Sequence, residues 1–312
     1  MKSVRAVASE MARSAATHGG VARLLCRMNA RARILMLHGV GTSDCPAEVF
    51  RAQVGFLQRV FHIVPLAQVL SATSHDHDPR PKLALTFDDG LKNNFTVAYP
   101  IICELRVPVT FFVCPGLIES GRWAWNFECR ARLSRLPVDR RLSFAAEIGV
   151  QSTQIEAIVR GLKYLPNARR LNAQQRLHLL TPEFAPTEAE RLEFDIMNWT
   201  ELKSLDPALV TIGGHSSHHE ILTRLEPAHL EREVGECRTW LERELGRPVR
   251  HFCYPDGAYD AQVLECVARH FETAVTTEKD WVPRRPERFR LPRIPGAENL
   301  RDLAWRVHRP TA

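Results

Sequence analysis

From Arg33 onward, short apolar runs rich in β-branched and aromatic residues alternate with stretches whose apolar positions recur every three or four residues. Seven runs read as strands: 34–38 (ILMLH), 83–87 (LALTF), 108–113 (PVTFFV), 209–213 (LVTIG), 250–254 (RHFCY), 273–277 (TAVTT) and 290–294 (RLPRI). Between them lie helical patterns. The best defined opens with Pro227, places Leu230, Val234, Cys237, Leu241 and Leu245 on one face and stops at Gly246. Such alternation predicts βα units around a parallel sheet, and seven strands with helical crossovers predict an α/β fold closed, or nearly closed, into a barrel. Residues 120–198 break the rhythm. They hold no convincing strand but several helical patterns, such as Ile155, Ile158, Val159 and Leu162, and read as a helical insertion. Trp123 and Trp125 at its entrance are candidate substrate-binding surfaces, because flat aromatic faces stack on the rings of a ligand.

Charge adds a boundary. Residues 1–33 carry seven basic side chains against Glu10 alone, which equals the whole formal net charge of +6, and the rest of the chain balances to zero. Apolar positions in that segment recur at helical spacing, so it reads as a basic amphipathic leader ahead of the main domain over 34–312. Such a helix suits peripheral contact with an anionic membrane. No nucleic-acid partner is expected. No apolar run approaches the roughly 18 residues that cross a bilayer, and no compact secretory segment opens the chain, so a cytoplasmic location is the expectation. The eight cysteines contain no CxxC pair and read as reduced, mostly buried thiols.

Two elements carry chemistry. The apolar run ending at Phe87 gives way abruptly to Asp88, Asp89 and Gly90, and adjacent carboxylates at a strand end call for a cation. The strand at 209–213 leads into His215 and His219, whose spacing of four aims both imidazoles at one point if they share a helical turn. Two imidazoles and one carboxylate form a three-ligand metal site with open positions, which leaves the other carboxylate to act as a base. Both elements fall at C-terminal strand ends, where parallel barrels gather their active sites.

The TFDDG run at 86–90 and the HSSHH run at 215–219 resemble the first two motifs of the polysaccharide deacetylases, the NodB-homology group also called carbohydrate esterase family 4. The HFCYPDG run at 251–257 looks like the third, and the likeness extends from about Ile34 to Pro295. It implies a distorted (β/α)7 barrel of the glycoside hydrolase/deacetylase type with a helical insertion. It also implies Asp88 as general base, Asp89, His215 and His219 as ligands of a divalent metal, expected to be Zn2+, and His218 as no ligand. The implied activity is removal of N-acetyl groups from an acetylated amino sugar in a glycan or glycan precursor. A deformylase of a lipid-linked amino sugar and a catalytically silent sugar-binding barrel are the alternatives.

The third motif departs from the family pattern. Cys253 stands where many members carry the arginine that orients the base, and Asp256 replaces a tyrosine, its backbone N–H still able to serve as an oxyanion donor to substrate. Arg293 is the candidate substitute for the missing cation. No L-x-H motif supplies the family's acid after Ile294, and His308 reads as a solvated residue of an Arg-rich tail. In a closed barrel the first and last strands are neighbours, so His38, ending the first strand as in permuted family members, is the candidate general acid.

Overall fold

The computed structural model describes Val21, Leu24 and residues 29–70 and 78–309. Nearly all of the leader expected over 1–33 lies outside the described residues. The fold is built on parallel strands β1 (Arg33–Leu37), β2 (His62–Ile63), β3 (Lys82–Phe87), β4 (Val109–Val113), β5 (Val210–Gly214), β6 (His251–Cys253), β7 (Thr273–Val275) and β8 (Ile294–Pro295). Their order is β7-β6-β5-β4-β3-β1-β8, with β2 a short side pairing on the start of β3. One segment closes the ring. Leu291 bridges to Val275 of β7, and three residues later Ile294 of β8 pairs with Leu35 of β1. The result is a seven-staved (β/α)7 barrel.

The staves are buried on both faces, which is why they read as continuous apolar runs rather than alternating ones. Phe87 and Phe111 meet edge to face at 5.2 Å between β3 and β4. Thr86 is the polar exception in β3, and its hydroxyl donates to the Leu35 carbonyl at 2.8 Å. Three strands are shorter than their sequence suggests: the runs expected over 250–254 and 273–277 pair only at His251–Cys253 and Thr273–Val275. The run expected over 290–294 pairs as a strand only at Ile294 and Pro295, because Pro292 and Pro295 have no N–H for a ladder. The two-residue β2 is too short to leave a pattern.

The helix opening at Pro227 ends at left-handed Gly246 (φ 63°), but it is not uniform: a π turn, Arg232–Glu236, joins Pro227–Glu231 to Cys237–Leu245. A second π turn, Asn94–Ala98, follows β3. Residues 120–198 hold the helices Trp125–Arg135, Val138–Glu147, Ile155–Tyr164, Asn167–Leu180 and Glu188–Phe194. Their apolar faces form a cluster that includes Leu133, Phe144, Ile158, Leu162 and Leu177. Each such side chain stabilises the cap by about 1.5–3 kcal/mol through burial.

Candidate active site

β3 delivers two carboxylates to the top of the barrel and then reverses. The Asp88 N–H extends the pairing with β1 by donating to the Leu37 carbonyl at 3.0 Å. Asp89 (φ 72°) and Gly90 (φ 69°) then turn left-handed, so the two aspartate side chains meet different neighbours. Asp88 faces the closing segment, where Arg293 grips it with both arms of its fork: Nη1 to Oδ1 and Nη2 to Oδ2, each 2.7 Å. The other three guanidinium hydrogens reach the Thr276 carbonyl from Nε at 2.8 Å, Thr86 Oγ1 from Nη1 at 3.1 Å and Cys253 Sγ from Nη2 at 3.2 Å. All five donors of this fully buried arginine are thus satisfied, the condition under which a buried charge is tolerated. The short Cys253 side chain, standing where the family resemblance expects an arginine, borders the guanidinium that Arg293 brings from another stave. Burial pushes the Asp88 pKa up, and the Arg293 charge and hydrogen bonds more than reverse that, leaving it below the usual carboxylate range.

Asp89 faces the loop after β5. Its Oδ1 lies 3.3 Å from His215 Nε2 and 3.2 Å from His219 Nε2. Burial raises the Asp89 pKa, but hydrogen bonds to the two imidazoles outweigh it and hold the group well below its ordinary value. The two imidazole nitrogens do not share a helical turn as the spacing of four suggested. The loop is irregular, and left-handed residues at Ser216 (φ 59°) and His219 (φ 57°) fold it back to the same point. His215 Nδ1 lies 2.7 Å from the Cys253 carbonyl, which can only accept, so Nδ1 carries a proton and Nε2 is the nitrogen that turns toward Asp89. The three donor atoms lie within 4.8 Å of one another. Tetrahedral zinc with ligands at about 2.0–2.2 Å separates its donors by about 3.3 Å, so this set fits such an ion. The Trp125 indole N–H braces the loop from behind, donating to the His219 carbonyl at 3.1 Å.

These groups open into a cavity of about 460 Å³. His38 stands at its mouth, half exposed, with Nε2 4.0 Å from Asp88 Oδ2. The second π turn fixes its loop: Asn94 Nδ2 donates to the His38 carbonyl at 2.7 Å, while Asn93 Oδ1 accepts the Val40 N–H at 3.2 Å. Asp256 is on the rim in a left-handed turn (φ 56°), its carboxylate paired with Lys163. Trp123 and Trp125 are buried and border a neighbouring cavity with His218 and Glu220, behind the histidine loop. The aromatic wall of the Asp88 cavity comes instead from Tyr254 and from Phe127 and Phe194, the latter two stacked at 4.8 Å. Sequence reasoning missed that wall and its charged members Arg130, Lys163 and Glu193, because amphipathic spacing shows that a helix has a polar face but not what the face looks onto. His308 is not solvated: it is buried against Phe61, with ring centroids 6.3 Å apart.

No curated protein matches the sequence significantly. Solved structures do match in fold. The Streptococcus pyogenes deacetylase PplD, in complex with acetate, superposes with a TM-score of 0.60 at 17% identity over 90% of this chain and 99% of that one. IcaB from Ammonifex degensii gives 0.57 at 16% identity over 89% and 95%. The BpsB deacetylase domain from Bordetella bronchiseptica gives 0.54 at 13% identity over 85% and 96%. The family model described as polysaccharide deacetylase matches residues 75–274, a span that contains Asp88, Asp89, His215 and His219. With well over half of its length covered by that match, the chain belongs to the polysaccharide deacetylase family.

Proposed function

We propose that this protein is a metal-dependent hydrolase that removes N-acetyl groups from an amino sugar in a glycan or glycan precursor. The observation that carries the reading is the pair of corners at one cavity: three convergent donors, Asp89, His215 and His219, beside a separate carboxylate, Asp88, that an arginine holds ionised. A divalent ion held by the three donors, zinc by their chemistry, supplies Lewis-acid polarisation of the acetyl carbonyl and a lowered pKa for water. Asp88 accepts the proton of the attacking water, its oxygens aimed by the Arg293 fork. The Asp256 backbone N–H, on the cavity rim, donates to the oxygen that gains charge. His38 protonates the departing amine, which is a poor leaving group without a proton. Phe127 and Phe194, from two of the insertion helices, form an apolar wall beside these groups.

The test is product analysis on a panel of N-acetylated sugars and oligosaccharides, with and without a chelator. Released acetate that stops on metal removal and returns on adding Zn2+ is the expected result. Release of formate from N-formyl substrates alone would make the enzyme a deformylase, and tight glycan binding with no product under any metal would make it a silent sugar-binding barrel.

A further inference from the structure

Between its two histidine ligands the chain adopts left-handed backbone at Ser216 and again at His219, and neither residue is glycine. L side chains disfavour that region, so the surroundings must hold the turn. One residue outside the motif does most of the holding. Glu233 is only 3% exposed and lies in the π turn of the helix that follows the site. Its backbone carbonyl accepts the Ser217 N–H at 3.0 Å. Its carboxylate accepts the His218 N–H at 2.9 Å through Oε2 and lies 2.7 Å from His218 Nδ1 through Oε1. On the other side the Gly116 N–H donates to the Ser217 carbonyl at 2.9 Å, and a Cβ at Gly116 would fall 2.3 Å from His218 Nε2. His218, which is not a ligand, is therefore packed between Gly116 and Glu233. π turns are rare and concentrate where a site needs a local departure from the helical ladder. This one carries the acceptor for three donors of the ligand loop.

We propose that Glu233 is a positioning residue for the metal site, clamping the backbone of Ser217 and His218 so that the next residue, His219, brings its Nε2 beside that of His215. The inference rests on the metal-dependent reading above, and Glu233 itself touches neither ion nor substrate.

The experiment titrates the full-length chain, stripped of metal, with Zn2+ against a chromophoric chelator, and follows folding by circular dichroism. Glu233→Ala is expected to keep the native spectrum and bind Zn2+ about 10–100-fold more weakly, the usual cost of removing a group that orients a ligand. Glu233→Gln, which still accepts the His218 N–H, recovers at least part of that affinity. His218→Ala keeps both backbone hydrogen bonds and stays within about threefold of the native protein. Native-like affinity in Glu233→Ala overturns the proposal, and so does His218→Ala reproducing the full loss, since the effect would then run through the imidazole. Should Glu233→Ala fail to fold, Glu233→Asp, whose shortened carboxylate cannot reach both His218 donors, reads the same loss, with native-like affinity again the overturning result. A native chain that takes up no Zn2+ overturns the metal reading itself, an outcome distinct from native binding that is indifferent to Glu233.

Discussion

Asp88 and Asp89 are separated by one peptide bond, yet they belong to two corners built on different physics. The Asp89 corner gathers electron-pair donors that converge on a point, which is what a cation needs. The Asp88 corner gathers hydrogen-bond donors around a carboxylate, led by the five-fold satisfied Arg293. Residue type does not separate the roles; the left-handed turn at Asp89 does, by sending the second carboxylate toward the histidine loop. An adjacent pair of acids becomes a division of labour only when each meets a different neighbour.

Substitutions at either corner separate the two roles, here in descending order of their effect on turnover. His215→Ala or His219→Ala is expected to lower metal content from about one ion per chain toward none and to cut turnover more than about 10³-fold, beyond the 10–100-fold typical of ligand-orienting groups; metal analysis and acetate release measure the two. Asp88→Asn should keep the metal and lose about 10²–10⁴-fold, the range of a missing general base. An emptied site in Asp88→Asn would show that the two aspartates have exchanged roles. His38→Ala should retain metal and lose about 10²-fold on amides. On an acetylated nitrophenol, whose leaving group needs no proton, it should lose far less, so parallel rate assays on the two substrates decide its role. Arg293→Lys keeps a charge but loses the fork, so a fall of about 10-fold in turnover with metal retained is expected, and thermal unfolding should show a loss approaching the 3–5 kcal/mol of a broken buried pair.

The smallest effect on turnover sharpens the comparison from outside both corners. Burial lowers His251 on β6 to a pKa of about 4, while an unfolded histidine titrates near 6.5. Its folded-state pKa is depressed, so the unfolded chain binds the proton that the fold refuses. The contribution to stability is complete above about pH 6.5 and is lost as pH falls toward 4, up to about 3 kcal/mol. His251→Gln should flatten the stability–pH curve in that window, measured by denaturant melts, and leave turnover at neutral pH unchanged.

Much of this was legible in the sequence wherever the signal is local. Staves buried on both faces announce themselves as short apolar runs, and the helix from Pro227 to Leu245 is written in its apolar spacing, its proline start and its glycine stop. The TFDDG and HSSHH runs likewise keep their chemistry within a few residues. What the sequence hides is set by closure and by turns. Arg293 and Asp88 are 205 positions apart and meet only because one segment pairs with both β7 and β1. The histidine loop converges through backbone that no side-chain spacing reveals, and the cavity that Trp123 and Trp125 border depends on how the insertion helices dock on the barrel.

The closing segment has a consequence for the order in which the protein comes into being. Synthesis delivers Asp89, His215 and His219 to the ribosome exit well before Arg293, whereas a domain folds as a unit. A nascent chain arrested between these points holds Asp89, His215 and His219 but lacks the cation that pairs with Asp88. The barrel and the Asp88 pair are therefore completed together, when the final stave emerges and closes on β7 and β1.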